Sequence, residues 1–164
     1  MKKTPISITP ARLSDLSSLN ELMYQLHDEH HKALPDTIKT ADQIQQEKSI
    51  ARYLDEPDCL VFVARVKGEV VGLVTGQFCE LISPISQPLM MGSIDELYIL
   101  PEYRRLDIGS MLITTLEEVF SDYGVKEVFV EVWEFNQSAL TFYYERGFER
   151  HIHWLRRSLT DPSV

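Results

Sequence analysis

Between Ser93 and Trp133 the hydrophobic period changes twice, and that change limits the folds open to this chain. Ser93–Ile99 alternates as a strand does, and Pro101 ends it. From about Ile108 to Tyr123, Ile108, Leu112, Val119 and Phe120 form one helical stripe. Gly124 then suits a C′ position, where positive φ is needed. Val128–Trp133 follows as an apolar run broken only by Glu131. Runs of this kind are usually strands in parallel pairing. Strand, helix and strand in this order describe a crossover that brings two parallel strands into one sheet.

The remaining segments extend that sheet. Ile6–Ile8 reads as a short edge strand. Leu16, Leu19, Met23 and Leu26 share a helix face, and His27, His30 and His31 end it. A second helix is predicted over Thr40–Leu54, with Ile44, Ala51 and Leu54 inward and Pro57 as its stop. Cys59–Val66 and Val70–Phe78 flank the turn Lys67-Gly68-Glu69, a hairpin signature. Ser83–Pro88 is a loop. Asn136 caps a helix over Gln137–Arg146, Gly147 ends it, and Phe148–Leu159 reads as a final strand. The order βααβββαβαβ predicts an α/β layered domain with a mixed, partly parallel sheet flanked by helices. No linker or repeat interrupts residues 1–164, so one domain is expected.

Composition excludes several function classes. An apolar fraction of 44% is that of a globular chain. No apolar run is long enough for a membrane span. Met1-Lys2-Lys3-Thr4-Pro5 has no apolar stretch behind it, so no secretory signal is legible and a cytoplasmic location is expected. A net charge of −9 disfavours nucleic acid and suits a cationic small molecule or basic peptide. Cys59 and Cys79 lack disulfide-framework or zinc spacing and read as buried strand residues. His27 and His31 stand at i,i+4, but no third ligand has suitable spacing, so no metal site is expected.

The chemistry concentrates in Ile94–Phe148. Ile94-Asp95-Glu96-Leu97-Tyr98-Ile99 leads through Pro101 into Arg104-Arg105-Leu106-Asp107-Ile108-Gly109-Ser110. That is a strand, a basic turn and a helix start. A helix N-terminus offers unpaired N–H groups and the positive end of a dipole, which together suit a phosphate. Gly109 and Ser110 are small enough for close backbone approach. Further on, Ala139, Phe142 and Tyr143 share a helix face, and a phenol there is able to give a proton to a leaving thiolate. Read without further context, the first segment is also a plain strand–turn–helix, and Tyr143 is also a packing residue.

These two segments resemble the acyl-CoA motifs of the GNAT acetyltransferase superfamily. The first is similar to its strand, Pro, Arg and R-x-x-G-x-G/A turn; the second is similar to its N-x-x-A-x-x-F-Y-x-x-x-G-F helix and strand. Asp107 stands where the family has its first turn glycine. Aspartate tolerates left-handed backbone better than most residues, and its carboxylate is expected to point to solvent.

The resemblance implies acetyl-CoA in a splay between Ile94–Ile99 and Val128–Trp133, taken as two central strands. The amides of Arg105, Leu106, Asp107, Ile108, Gly109 and Ser110 would meet its pyrophosphate, with Arg104 holding the turn. The main chain of Leu97 and Ile99 would bond its pantetheine arm, and a backbone N–H there would steady the oxyanion. Asn136 would bond the cofactor arm, and Tyr143 would act as general acid. A lysine-like amine has a pKa of about 10.4, so a base or a dry site is required. Asp95 is the first candidate base and Glu96 the second, from likeness to the same strand in spermidine/spermine acetyltransferases. Simple alternation would put the two on opposite faces, so that one reaches the site directly or through water, and a bulge would change which one. The final strand, with His151, His153 and Trp154, would border the acceptor pocket, and one of those histidines is an alternative base.

The implied activity is transfer of an acetyl group from acetyl-CoA to a primary amine of a small molecule or peptide, by direct attack and without a metal. A homodimer is compatible with the family. The alternatives are a non-catalytic acyl-CoA-binding or sensor domain, suggested by Asp107, and a structural partner with a degenerate site. Neither the acceptor nor the acyl length is legible.

Overall fold

The computed structural model describes residues 4–160. Five strands, β1 (Ile6–Pro10), β2 (Cys59–Val66), β3 (Glu69–Leu81), β4 (Leu89–Ile99) and β5 (Glu127–Val130), form one sheet in the order β1-β2-β3-β4-β5. All neighbours are antiparallel except β4 and β5, which are parallel. The helices are α1 (Leu16–Ala33), α2 (Ala41–Glu47), α3 (Ile50–Asp55), α4 (Ile108–Asp122) and α5 (Gln137–Glu145). The chain divides into two compact units after Glu131.

In the first unit the sheet has a helix layer on each face. Leu19, Leu22 and Met23 of α1 and Ile50 of α3 pack on Val61, Val63, Leu73 and Tyr98. The opposite face receives the stripe Ile108, Leu112, Leu116 and Phe120 of α4, all buried. Two glycines let α4 approach. A Cβ at Gly92 would lie 2.7 Å from the Phe120 ring, and one at Gly76 would lie 3.0 Å from Leu116. Phe120 also meets Phe78 edge to face, with centroids 5.2 Å apart.

Three predicted elements take a different form. The helix expected over Thr40–Leu54 is two helices, because Lys48 and Ser49 adopt extended backbone. The Ser49 hydroxyl accepts from the Ala51 N–H and restarts the helix, and the fully buried inward residues become Ala41 and Ile50. The β5 strand stops at Val130 rather than Trp133, and it is the sheet's edge rather than a central strand. Phe148–Leu159 forms no strand. It has no ladder partner, and Ile152, Trp154, Leu155 and Leu159 are exposed, so alternation alone did not make a strand there.

In the second unit α5 starts at Asn136, whose Oδ1 accepts from the Ala139 N–H, as its position in sequence predicts. Gly147 has φ +91° and ends the helix.

Candidate active site

The site is built on β4. Thr75 of β3 pairs with Glu96, but Gly76 pairs with Ile94, so Asp95 is an extra residue in the ladder. Such a bulge leaves one residue unpaired and shifts the alternation beyond it. Asp95 and Glu96 therefore do not take opposite faces. Both meet the segment from α2 to α3. The Tyr53 hydroxyl donates to Asp95 Oδ2 at 2.9 Å, and the Ser93 hydroxyl donates to Asp95 Oδ1 at 2.6 Å. Glu96 is 5% exposed, accepts from Lys48 Nζ and from the Thr75 hydroxyl, and its N–H donates to Thr75 Oγ1. The Lys48 ammonium lies 5.6 Å from the centre of the Tyr53 ring. Burial, and then the two carboxylates, push the Tyr53 phenol above its ordinary pKa, so it serves Asp95 as a donor.

On its other side β4 has only a short parallel pairing. Pairing of β4 with β5 ends at Ile94↔Val130, while β4 continues to Ile99. Leu97 and Ile99 therefore lie on the stretch of β4 beyond that pairing. This is the splay expected from sequence, with β5 as an edge strand.

The turn after β4 leads into the N-terminus of α4. Arg105 (φ 69°) and Asp107 (φ 59°) are both left-handed. Asp107 is the N-cap of α4, yet its side chain makes no capping bond, and the residue is exposed. The first carbonyl-bonded amide is that of Met111, which donates to Asp107. The amides of Ile108, Gly109 and Ser110 thus lack helical partners, and this fits an anion. Arg104 Nε donates to the Ile99 carbonyl at 2.9 Å, and its guanidinium stacks 5.2 Å from the Tyr98 ring. Arg104 holds the turn against the strand. Leu106 and Arg105 are exposed beside it.

In the second unit Tyr143 is 6% exposed, between Phe142 and Phe148 at ring distances of 5.1 and 5.2 Å. Burial pushes its phenol pKa upward, which keeps it protonated. His153 and Trp154 stand in the exposed C-terminal segment.

Lys48, Tyr53, Thr75 and Ser93 were not legible as site residues. Lys48 and Tyr53 fall inside the predicted second helix, and only the break at Lys48–Ser49 delivers both to β4. Cys59 and Cys79 are free and half-buried rather than buried. Burial first, and then the nearby Asp95 charge, raise both thiol pKa values. Among the described residues no group of three or more His, Cys, Asp or Glu is placed for a metal, and no helix is long and apolar enough to cross a membrane. His31 Nδ1 bonds the Ile38 carbonyl, and His27 Nε2 is buried without a partner.

The five strands, with β4 and β5 parallel and α4 starting on amides without helical partners, define a mixed α/β fold. The chain belongs to the acetyltransferase (GNAT) family, whose pattern matches residues 21–148. A solved acetyltransferase from Vibrio fischeri is 52% identical, with a TM-score of 0.66, and the match covers 77% of this chain and 96% of that one. An N-alpha-acetyltransferase of Sulfurisphaera tokodaii is 33% identical over 101 residues, which is 59% of this chain and 60% of the relative's length. The fold is shared with an aminoglycoside acetyltransferase, AAC(6')-Iy, solved with CoA (TM-score 0.70, 15% identity, covering 96% of this chain and 98% of that one).

Proposed function

We propose that residues 1–164 act as one acetyl-CoA-dependent N-acetyltransferase on a primary amine of a cationic small molecule or peptide. The observation that carries this reading is the β4 bulge, which sets two carboxylates side by side next to the opened parallel pair. When bound, acetyl-CoA supplies the thioester that donates the acetyl group. The amides of residues 105–110 hold its phosphates, with Arg104 fixing the turn. The main chain of Leu97 and Ile99 and the side chain of Asn136 take its arm. The geometry favours Glu96 over Asp95 for receiving the amine's proton, since Glu96 already holds a primary ammonium. Asp95, oriented by Tyr53 and Ser93, supplies a second negative charge that attracts a cationic acceptor. Tyr143 is the general acid, and its raised pKa keeps the proton available.

Left-handed backbone at Asp107 supports this reading over a non-catalytic acyl-CoA-binding domain, because the residue takes the turn without its glycine. The names of the relatives support an amine acceptor, and the net charge of −9 suits a cation. A cytoplasmic setting and a homodimer are part of the proposal.

Thermal denaturation with CoA and acetyl-CoA tests the site. A ligand at a hundredfold excess over its Kd adds about 3 kcal/mol. Thiol release with a panel of polyamines, amino acids and basic peptides tests the reaction. Tyr143→Phe is expected to lower kcat by about a hundredfold or more while CoA still stabilises the protein. Absence of any CoA-dependent stabilisation would remove the central claim.

A further inference from the structure

We infer that Lys48 is a self-acetylation site: its ε-amine sits where an acceptor amine would sit, bonded to Glu96, and the enzyme acetylates it when no external amine is present. The inference rests on the acetyltransferase reading above.

Lys48 differs in kind from the other described lysines. Lys32 and Lys39 pair with Asp28 and Glu47 on the surface, with side chains 74% and 57% exposed. Lys67 and Lys126 are also exposed. Lys48 has a stem open to solvent but delivers its nitrogen to a carboxylate that is almost wholly buried. Glu96 is further held by Thr75, so its position is set by the sheet and not by the lysine. Lys48 is the movable partner. It lies on extended backbone between α2 and α3, in a break of the helical ladder. A long, unbranched chain leaving such a break is able to move without disturbing either helix. His27 stands nearby: burial, and then the Lys48 charge, lower its pKa to about 4, so it faces Lys48 as a neutral imidazole. Lys48 also lines a small cavity with Asn20, Met23, Tyr24, His27, Gln45 and Ile50.

The step balances simply. The Lys48 ammonium gives one proton to Glu96, and the nitrogen lone pair forms a C–N bond with the thioester carbonyl. The C–S bond breaks, the nitrogen loses its second proton, and the departing thiolate takes up a proton and leaves as CoA. No oxidant or metal is involved. The product is a neutral amide, and once Glu96 returns its proton to solvent no ammonium balances its charge.

Two measurements test this. The first uses the full-length protein without acetyl-CoA and an N-hydroxysuccinimidyl acetate reagent, with modified lysines mapped by peptide mass. Lys48 is expected to react more slowly than Lys39, and to become as reactive as Lys39 in Glu96→Gln. Equal reactivity of the two in the wild-type protein would overturn the seating of Lys48 on Glu96. The second incubates the protein with acetyl-CoA alone. One acetyl group is expected at Lys48, formed about a hundredfold more slowly in Glu96→Gln, absent in Lys48→Arg, and suppressed by an added amine acceptor. Acetylation spread over Lys32, Lys39, Lys67 and Lys126 at the same rate would mean uncatalysed chemistry and would overturn it. If added amines are acetylated while Lys48 is not, this inference falls and the proposed function stands; if neither is acetylated, both fall. Circular dichroism of Glu96→Gln separates loss of fold from loss of transfer.

Discussion

The unit ending at Glu131 and the unit that follows contain the same kinds of apolar residue and treat them in opposite ways. In the first, Leu19, Leu73 and Leu112 are fully buried between the sheet and its helices. In the second, Tyr143 is enclosed by Phe142 and Phe148, but a few residues later Trp154 is 95% exposed. Apolar side chains gain free energy only where other elements cover them. The sheet offers two covered faces, and the C-terminal segment offers none. Charged groups divide in the same way. Asp15 is 6% exposed and bonds Arg65 at 2.6 Å, whereas Arg150 bonds Tyr144 at the surface.

The largest effect that would break this contrast lies at Asp15. The Arg65 bond holds its carboxyl below the ordinary pKa, and removing one member of a buried pair leaves the other charge uncompensated. Asp15→Ala is expected to cost about 3–5 kcal/mol in urea unfolding. A loss under about 1 kcal/mol would mean that the first unit tolerates an unpaired guanidinium as the surface does.

His27 sharpens the contrast through pH. Burial lowers its pKa from 6.5 to about 4. The unfolded chain therefore binds a proton on this residue before the folded chain does. The stabilising contribution is complete above pH 6.5 and is lost as pH falls towards 4, by about 3 kcal/mol at most. His27→Leu should flatten that part of a stability–pH curve. An unchanged slope in the variant would assign the acid sensitivity to other groups.

The smallest effect belongs to the second unit. Trp154→Ser is expected to change stability by no more than about 0.5 kcal/mol. Iodide should quench Trp154 fluorescence as it does a free indole. A destabilised variant or a shielded indole would show that the segment is covered in solution, and the contrast would fail.

Much of the fold was legible because it is local. The α4 stripe of Ile108, Leu112 and Phe120, the hairpin around Gly68, the Asn136 cap and the turn at Arg104–Asp107 each depend on neighbours within a few residues. The break at Lys48–Ser49 was less legible, since the pattern on either side is helical and one Ser cap decides it. The last predicted strand fails for a different reason. Alternation in Phe148–Leu159 says which residues share a face, but a strand exists only beside another strand.

The sequence by itself determined the strand–helix–strand order, the family and the identity of the candidate carboxylates, because spacing and residue type carry these directly. The tertiary structure decided that Asp95 and Glu96 share a face and that Lys48 and Tyr53 meet them. A bulge is a mismatch in count between two strands distant in sequence, so neither strand records it alone.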